Sequence, residues 1–308
     1  MSKIIVTGGA GFIGSTITDE LISNDHEVLI IDNLSSGNMQ NVNSKATFEN
    51  CDIRDKQKII SIFENFQPEF VFHEAAQIDV RASVKDPSFD IDVNVLGSLN
   101  IIEASNACKV KKIMFASSGG AAYGDTDIIP TPETTREVPT SIYGISKLMT
   151  DRLLNFFHLQ YGLKYTSLRY SNVYGPRQNP HGEAGVVAIF TKRMLNNEAV
   201  QINGTGLNKR DYVYVQDVAH ANYLAMNSDY LGPINIGTGV ETDVNTVFNM
   251  IKMATGSSVQ EMHKEAGAGE QARSCLDITL AKNILNWQPQ VQFEQGINNT
   301  ALWFKSNL

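Results

Sequence analysis

Residues 7–14 read TGGAGFIG, between the apolar run Ile4–Val6 and a stretch in which Ile13, Ile17 and Leu21 recur every four residues. Few backbones satisfy three glycines at such a junction. Gly8 permits a tight turn, Gly11 lets the main chain approach a pyrophosphate, and Gly14 lets helix and strand pack closely. The helix that follows presents free N–H groups to phosphate oxygens. This strand–turn–helix predicts a dinucleotide-binding loop that includes Phe12 and Ile13.

The chain around this loop alternates strand and helix. Residues 3–8, 27–32, 46–52, 70–76, 112–118 and 164–173 read as strands, with helical periods between them. Such alternation predicts an α/β fold, a Rossmann-type doubly wound parallel sheet covered on both faces. After residue 174 the pattern loosens and becomes rich in Gly, Asn and Pro. We expect a division into residues 1–174, holding the cofactor site, and 175–308, a smaller C-terminal substrate-binding lobe.

The bulk numbers exclude several classes of partner. The 308-residue chain carries a net charge of −8 and no lysine or arginine run, which argues against nucleic acid and against an anionic membrane surface. No stretch approaches the roughly 18–20 apolar residues that a membrane helix needs. The N-terminal apolar run is short and broken by glycines, so it reads as strand and loop rather than as a secretion signal. Cys51, Cys108 and Cys275 are far apart and form no CxxC pair. A reducing compartment, the cytoplasm, is expected. The six histidines form no HxH or HxxxH pair, and no metal is expected.

Asp32 ends the second strand, 24 residues after Gly8. An acid there accepts from both adenosine ribose hydroxyls and repels a 2′-phosphate, which predicts NAD rather than NADP. Further along, Tyr143 and Lys147 open a helical pattern about 25 residues after the fifth strand. At i and i+4 they share a helix face. An ammonium beside a phenol favours phenolate, and a cationic nicotinamide ring would push the same way. Tyr143 can then serve as general base on a substrate hydroxyl.

The GxxGxxG spacing with this YxxxK pair resembles the extended short-chain dehydrogenase/reductase family. Over nearly the whole chain it resembles that family's UDP-glucose/UDP-N-acetylglucosamine 4-epimerases. The resemblance implies an adenosine loop at Asn33, Ser35, Ser36 and Gly37 and adenine contacts at Asp52 and Ile53. It implies a nicotinamide-side loop at Ala75, Ala76 and Gln77, with Asn94, Ser117 and Tyr170 also at the cofactor. On the substrate side it implies Asn172, Val187 and Gln201 along the nucleotide-sugar. Arg210 and Arg273 would hold its phosphates and uridine, since guanidinium forks suit diphosphate oxygens. Asp217 would anchor the lobe. Helical segments 88–107 and 145–161 resemble the pair through which the family dimerises.

Two positions stand out against the family's pattern. Its catalytic hydroxyl falls here on Gly119, in SSGGAAYG (117–124), so Ser118, Ser117 or a water must supply it; Ser118 is favoured, beside Gly119 at the substrate. Ser274 occupies a gate position that is bulky in epimerases restricted to UDP-glucose, and leaves room for an N-acetyl group. The expected reaction is therefore NAD-dependent 4-epimerisation of a UDP-hexose. The alternatives are a UDP-uronate 4-epimerase or decarboxylase, a nucleotide-sugar 4,6-dehydratase, and an NAD-binding sensor without catalysis. The dehydratase needs an acid and a base where this chain has Gly119 and Gly120. The sensor is hard to reconcile with an intact Tyr143/Lys147 pair.

Overall fold

A computed structural model describes residues 1–181, 185–265 and 271–307. Residues 182–184, in the stretch rich in Gly, Asn and Pro, and residues 266–270, which precede Arg273, lie outside them. Strand β1 (Lys3–Thr7) alternates its burial across the sheet. Ile4 and Val6 join the core on one face, and Ile5 joins the core on the other. A strand buried on both faces is the mark of a central parallel strand. Six more strands join it: β2 (Glu27–Asp32), β3 (Thr47–Asn50), β4 (Phe70–His73), β5 (Lys112–Ser118), β6 (Tyr165–Tyr170) and, after three lobe strands, β10 (Gly232–Ile236). Their order is β10-β6-β5-β4-β1-β2-β3, and every neighbouring pair is parallel. The first six strands expected from the sequence are all present, and the sheet is the doubly wound one expected.

Helix Phe12–Ser23 lays Ile17 and Leu21 on one face of the sheet beside Val218 and Ala221 of helix Val215–Met226. Helices Lys56–Phe66, Ser98–Ala107 and Ile142–Tyr161 cover the other face through Ile59, Phe63, Ile101 and Leu154. The strand order reverses between β1 and β4. Ligands of such sheets bind outside the strand C-termini at this reversal.

The three intervening strands are β7 (Asn172–Tyr174), β8 (Val200–Asn203) and β9 (Lys209–Tyr214); β11 (Glu241–Asp243), β12 (Glu261–Lys264) and β13 (Arg273–Ser274) follow. β9 pairs with β7, β11 and β13, while β8 pairs with β12. A third core, with Phe190, Tyr212, Phe248 and Ile297, holds this lobe together. The chain after residue 174 is thus shared: most of it builds the lobe, but β10 and helix Val215–Met226 return to the main sheet. Asp217 ties the two regions, as expected: it accepts from the N–H groups of Gln290 (3.0 Å) and Val291 (3.1 Å). No helix among the described residues is long and apolar enough to cross a membrane.

Candidate active site

The glycine loop is built as its spacing predicts. Gly8 has φ +69°, and a Cβ there would lie 2.7 Å from the Ala75 nitrogen. A Cβ on Gly14 would lie 2.3 Å from the Gly8 carbonyl oxygen. Side chains at either position are excluded by backbone. At the end of β2, Asp32 is buried, accepting from the N–H groups of Ala10 (3.0 Å) and Leu34 (2.8 Å). Asn33 donates to Asp52 (2.9 Å), whose carboxyl the Arg54 guanidinium holds far below the usual range.

These residues line one continuous cavity of about 200 Å³. It runs from the loop glycines past Asp32, Asn33, Ser35 and Ser36, then Asp52 and Ile53, and on to Ala75, Ala76 and Ser117. Its far end holds Tyr143, Lys147 and Tyr170. The cradle fits a dinucleotide: side-chain-free backbone at a helix start, an acid at the second strand's end, and a Tyr/Lys pair opposite. Gly37, Gln77 and Asn94 stand behind its wall. A Cβ on Gly37 would press on Asp32 Oδ1 at 2.9 Å. Asn94 is buried in a π-helical turn, Asp92–Gly97, within the helical run from Pro87 to Ala107. Its side chain accepts from the Gln77 N–H (2.8 Å) and donates to the Gln77 carbonyl (2.9 Å) and to Asp90 (3.2 Å). It therefore shapes the loop after β4 instead of touching the cavity.

Tyr143 and Lys147 lie on helix Ile142–Tyr161, whose start is capped by Ser141 accepting from the Gly144 N–H (3.1 Å). A Cβ on Gly144 would meet the Ala121 carbonyl at 2.4 Å, so glycine there lets this helix dock closely on Gly119–Tyr123. Lys147 Nζ donates to the Ala116 carbonyl (2.8 Å) and lies 5.9 Å from the Tyr143 ring centre. Burial pushes the Tyr143 phenol above its ordinary range; Asp90 and Glu74 add to this, and a hydrogen bond with Ser118 pulls it back. The chain's own groups thus hold Tyr143 as a neutral phenol, even with Lys147 close by. Burial lowers Lys147 to about 8, with Glu74, Asp151 and Asp90 opposing.

The Ser118 hydroxyl is the one that reaches Tyr143; it also accepts from the Ala121 N–H (3.3 Å). Ser117 turns toward buried Asp151 (3.4 Å). Gly119 lies under Leu276 and offers no hydroxyl.

A second, larger cleft of about 670 Å³ opens between sheet and lobe. Ser118, Tyr143, Asn172, Val187, Gln201 and Arg210 all line it. Arg273 does not; Glu241 holds its guanidinium through two bonds (2.8 and 2.6 Å). Ser274 sits behind Gly120, whose Cβ would be 3.2 Å from Ser274 Oγ. The sequence reading passed over Arg81, Gln178, Arg193 and Lys264 on this cleft, and Glu74 in the cofactor cavity. Glu74 alone carried a visible signal, an acid directly after a buried strand. The two cavities share a wall at Tyr143, Ser117 and Tyr170.

A description of known families matches residues 4–237 as the NAD dependent epimerase/dehydratase family. The chain belongs to this family. The fold of this epimerase-family chain is similar to the crystal structure of a UDP-glucose 4-epimerase from Thermotoga maritima with UDP-glucose. That likeness has 49% identity and a TM-score of 0.97, covering 99% of each chain. It is also similar to a UDP-glucose 4-epimerase from Thermus thermophilus in complex with NAD, at 41% identity and a TM-score of 0.95 over 99% of this chain and 100% of that one. A UDP-N-acetylglucosamine 4-epimerase from Methanobrevibacter ruminantium, in complex with UDP-N-acetylmuramic acid, has 36% identity and a TM-score of 0.95, covering 100% of this chain and 99% of that one.

Proposed function

We propose that this chain is an NAD-dependent UDP-hexose 4-epimerase, interconverting UDP-glucose and UDP-galactose through a 4-keto sugar. The observation that carries this reading is the shared wall. Tyr143 lines the cofactor cavity and the larger cleft at once, and Ser118 acts on its phenol. NAD, when bound, supplies the acceptor and donor of the C4 hydride. The chain's residues do the rest. Neutral in the chain alone, Tyr143 would be drawn to phenolate by the added positive charge of oxidised NAD beside Lys147. As phenolate it would take the proton of the 4-hydroxyl and return it when the hydride returns, with Ser118 orienting the phenol. Lys147, held by the Ala116 carbonyl, places a cation beside them. Arg210 is suited to hold the diphosphate, and the width of the cleft leaves the hexose room to turn its other face toward the cofactor.

The gate at Ser274 and the similarity to the Methanobrevibacter enzyme support a second substrate series, the N-acetylated UDP-hexoses. A homodimer is supported by apolar side chains left exposed on neighbouring helical stretches: Phe89 and Leu96 on one, Met149 and Phe156 on the other. A cytoplasmic site is supported by three free cysteines. The deciding experiment is a coupled assay with UDP-galactose and UDP-N-acetylgalactosamine side by side. A gluco epimer from the first is expected; no epimer from either, with NAD bound, would refute the reading.

A further inference from the structure

Glu74 has no part in the scheme above, yet it stands on the wall of the cofactor cavity together with Tyr143, Lys147 and Tyr170. It directly follows β4, and its backbone N–H donates to the Thr7 carbonyl (3.1 Å), which fixes it beside the glycine loop. One carboxyl oxygen accepts from the Tyr170 hydroxyl (3.1 Å), which itself accepts from the Asn222 side chain (2.8 Å). Among the described residues the other oxygen has no hydrogen-bond partner. No arginine or lysine forms a salt bridge with it there.

The charges around it do not balance. Asp151 is matched by Arg169 at 3.2 Å. Asp90 accepts only from the amides of Gln77 (2.9 Å) and Asn94 (3.2 Å). His73, the residue before Glu74, is held neutral by burial, down at about 3. Tyr143 and Tyr170 are both held as neutral phenols. Among the described residues lining this cavity, Lys147 is the one ammonium, and Glu74 and Asp90 both act on it. Burial pushes Glu74 up, to about 7, and Lys147 down, to about 8, while each one's charge pulls the other back. With Glu74 ionised, the pocket holds more negative than positive charge and favours one further cation. Of the two states of a nicotinamide ring, only the oxidised one is a cation.

We propose that Glu74 is a positioning residue for the reaction: its carboxylate holds Lys147 as the ammonium and weights the bound nicotinamide cofactor toward its oxidised form. The proposal rests on NAD binding by this chain, not on which sugar it turns over. An enzyme that must return each hydride it takes gains from this bias, because cofactor left reduced after the keto sugar escapes is dead enzyme.

The test compares wild type, Glu74→Gln and Glu74→Asp as purified holoenzymes. Each is equilibrated with a mediator couple at a series of set potentials, and the reduced nicotinamide is read from its near-ultraviolet absorbance. At a fixed potential, Glu74→Gln should raise the ratio of reduced to oxidised cofactor about tenfold, about 30 mV for a two-electron couple. Glu74→Asp, which keeps the charge, should stay within about twofold. The alkaline limb of the pH–rate profile should move to lower pH in Glu74→Gln, because Lys147 then loses its proton more readily. Equal shifts in both variants would mean that shape and not charge matters, and would overturn the proposal. No shift in either would do the same. The potential measurement needs no sugar substrate, so it still reads if the epimerase assignment fails.

Discussion

Leu276 fills the space that any side chain at position 119 would need. A Cβ on Gly119 would lie 2.6 and 2.7 Å from its two methyl carbons. A side chain at that position needs Leu276 to shift, and the serine that acts on the Tyr143 phenol is Ser118. Ser118→Ala should lower kcat about a hundredfold, at the lower end of what acid–base groups contribute. Gly119→Ser added to it should not restore turnover, and should cost about 1–3 kcal/mol of stability through overpacking. Steady-state rates and thermal unfolding of the pair would check both; full rescue by Gly119→Ser would remove Ser118 from the site.

Tyr143→Phe should reduce kcat by about 10²–10⁴ while leaving NAD bound, since the phenol contributes a proton relay rather than affinity. Lys147→Ala should lower turnover and move the pH profile upward. The sign follows from charge: the phenol already lies above its ordinary range, and removing a cation 5.9 Å from its ring raises it further. A profile that keeps its position would mean that Lys147 does not tune Tyr143.

Asp32→Asn keeps the size of the side chain but can accept from only one of the two N–H groups, Ala10 or Leu34, that the carboxylate now satisfies. About 1–3 kcal/mol of stability should be lost, and NAD should bind about ten- to a hundredfold more weakly while NADP gains. Calorimetric titration with both cofactors would decide. Unchanged discrimination would place the choice elsewhere.

Arg169 is almost fully buried between Asp151 (3.2 Å) and Glu137 (2.8 Å), with its guanidinium 4.9 Å from the Tyr123 ring centre. Arg169→Met should cost about 3–5 kcal/mol, because two carboxylates lose their cation. Adding Asp151→Leu should recover part of this. Chemical denaturation of the single and double variants measures it, and a cost from the single variant within that of an ordinary surface change would count against the network.

Ser274→Tyr should abolish turnover of N-acetylated UDP-hexoses and spare UDP-galactose. The hydroxyl of Ser274 already stands 3.2 Å from where a Gly120 Cβ would be, so a larger group must displace that wall or project past it. Equal loss on both substrates would argue for a general distortion.

The cofactor half was legible because its determinants are local. Gly8, Gly11 and Gly14 declare a turn within seven residues, and Asp32 closes the next strand. The substrate half was less so. Arg81, Arg193 and Lys264 meet on one cleft from distant stretches of chain, and no spacing announces that. The same holds for Gly119, whose reason is Leu276. The family resemblance puts Arg273 at a phosphate or the uridine, but pattern alone cannot reveal that Glu241 engages it. Glu74 shows itself in the sequence only as an acid at the end of a buried strand, and nothing in its spacing assigns it Tyr170 as a partner.

β10 joins the edge of the main sheet after three lobe strands, pairing with β6 from Gly232–Thr166 to Ile236–Tyr170. The polypeptide therefore stitches its two regions together. A fragment cut after residue 174 would leave β6 as a raw edge and strip helix Val215–Met226 from one face, inviting aggregation. Grafting a relative's substrate lobe onto this sheet would have to carry that strand and helix along, or supply replacements. Natural exchange of specificity in such a chain is accordingly easier by changing rim residues than by trading modules.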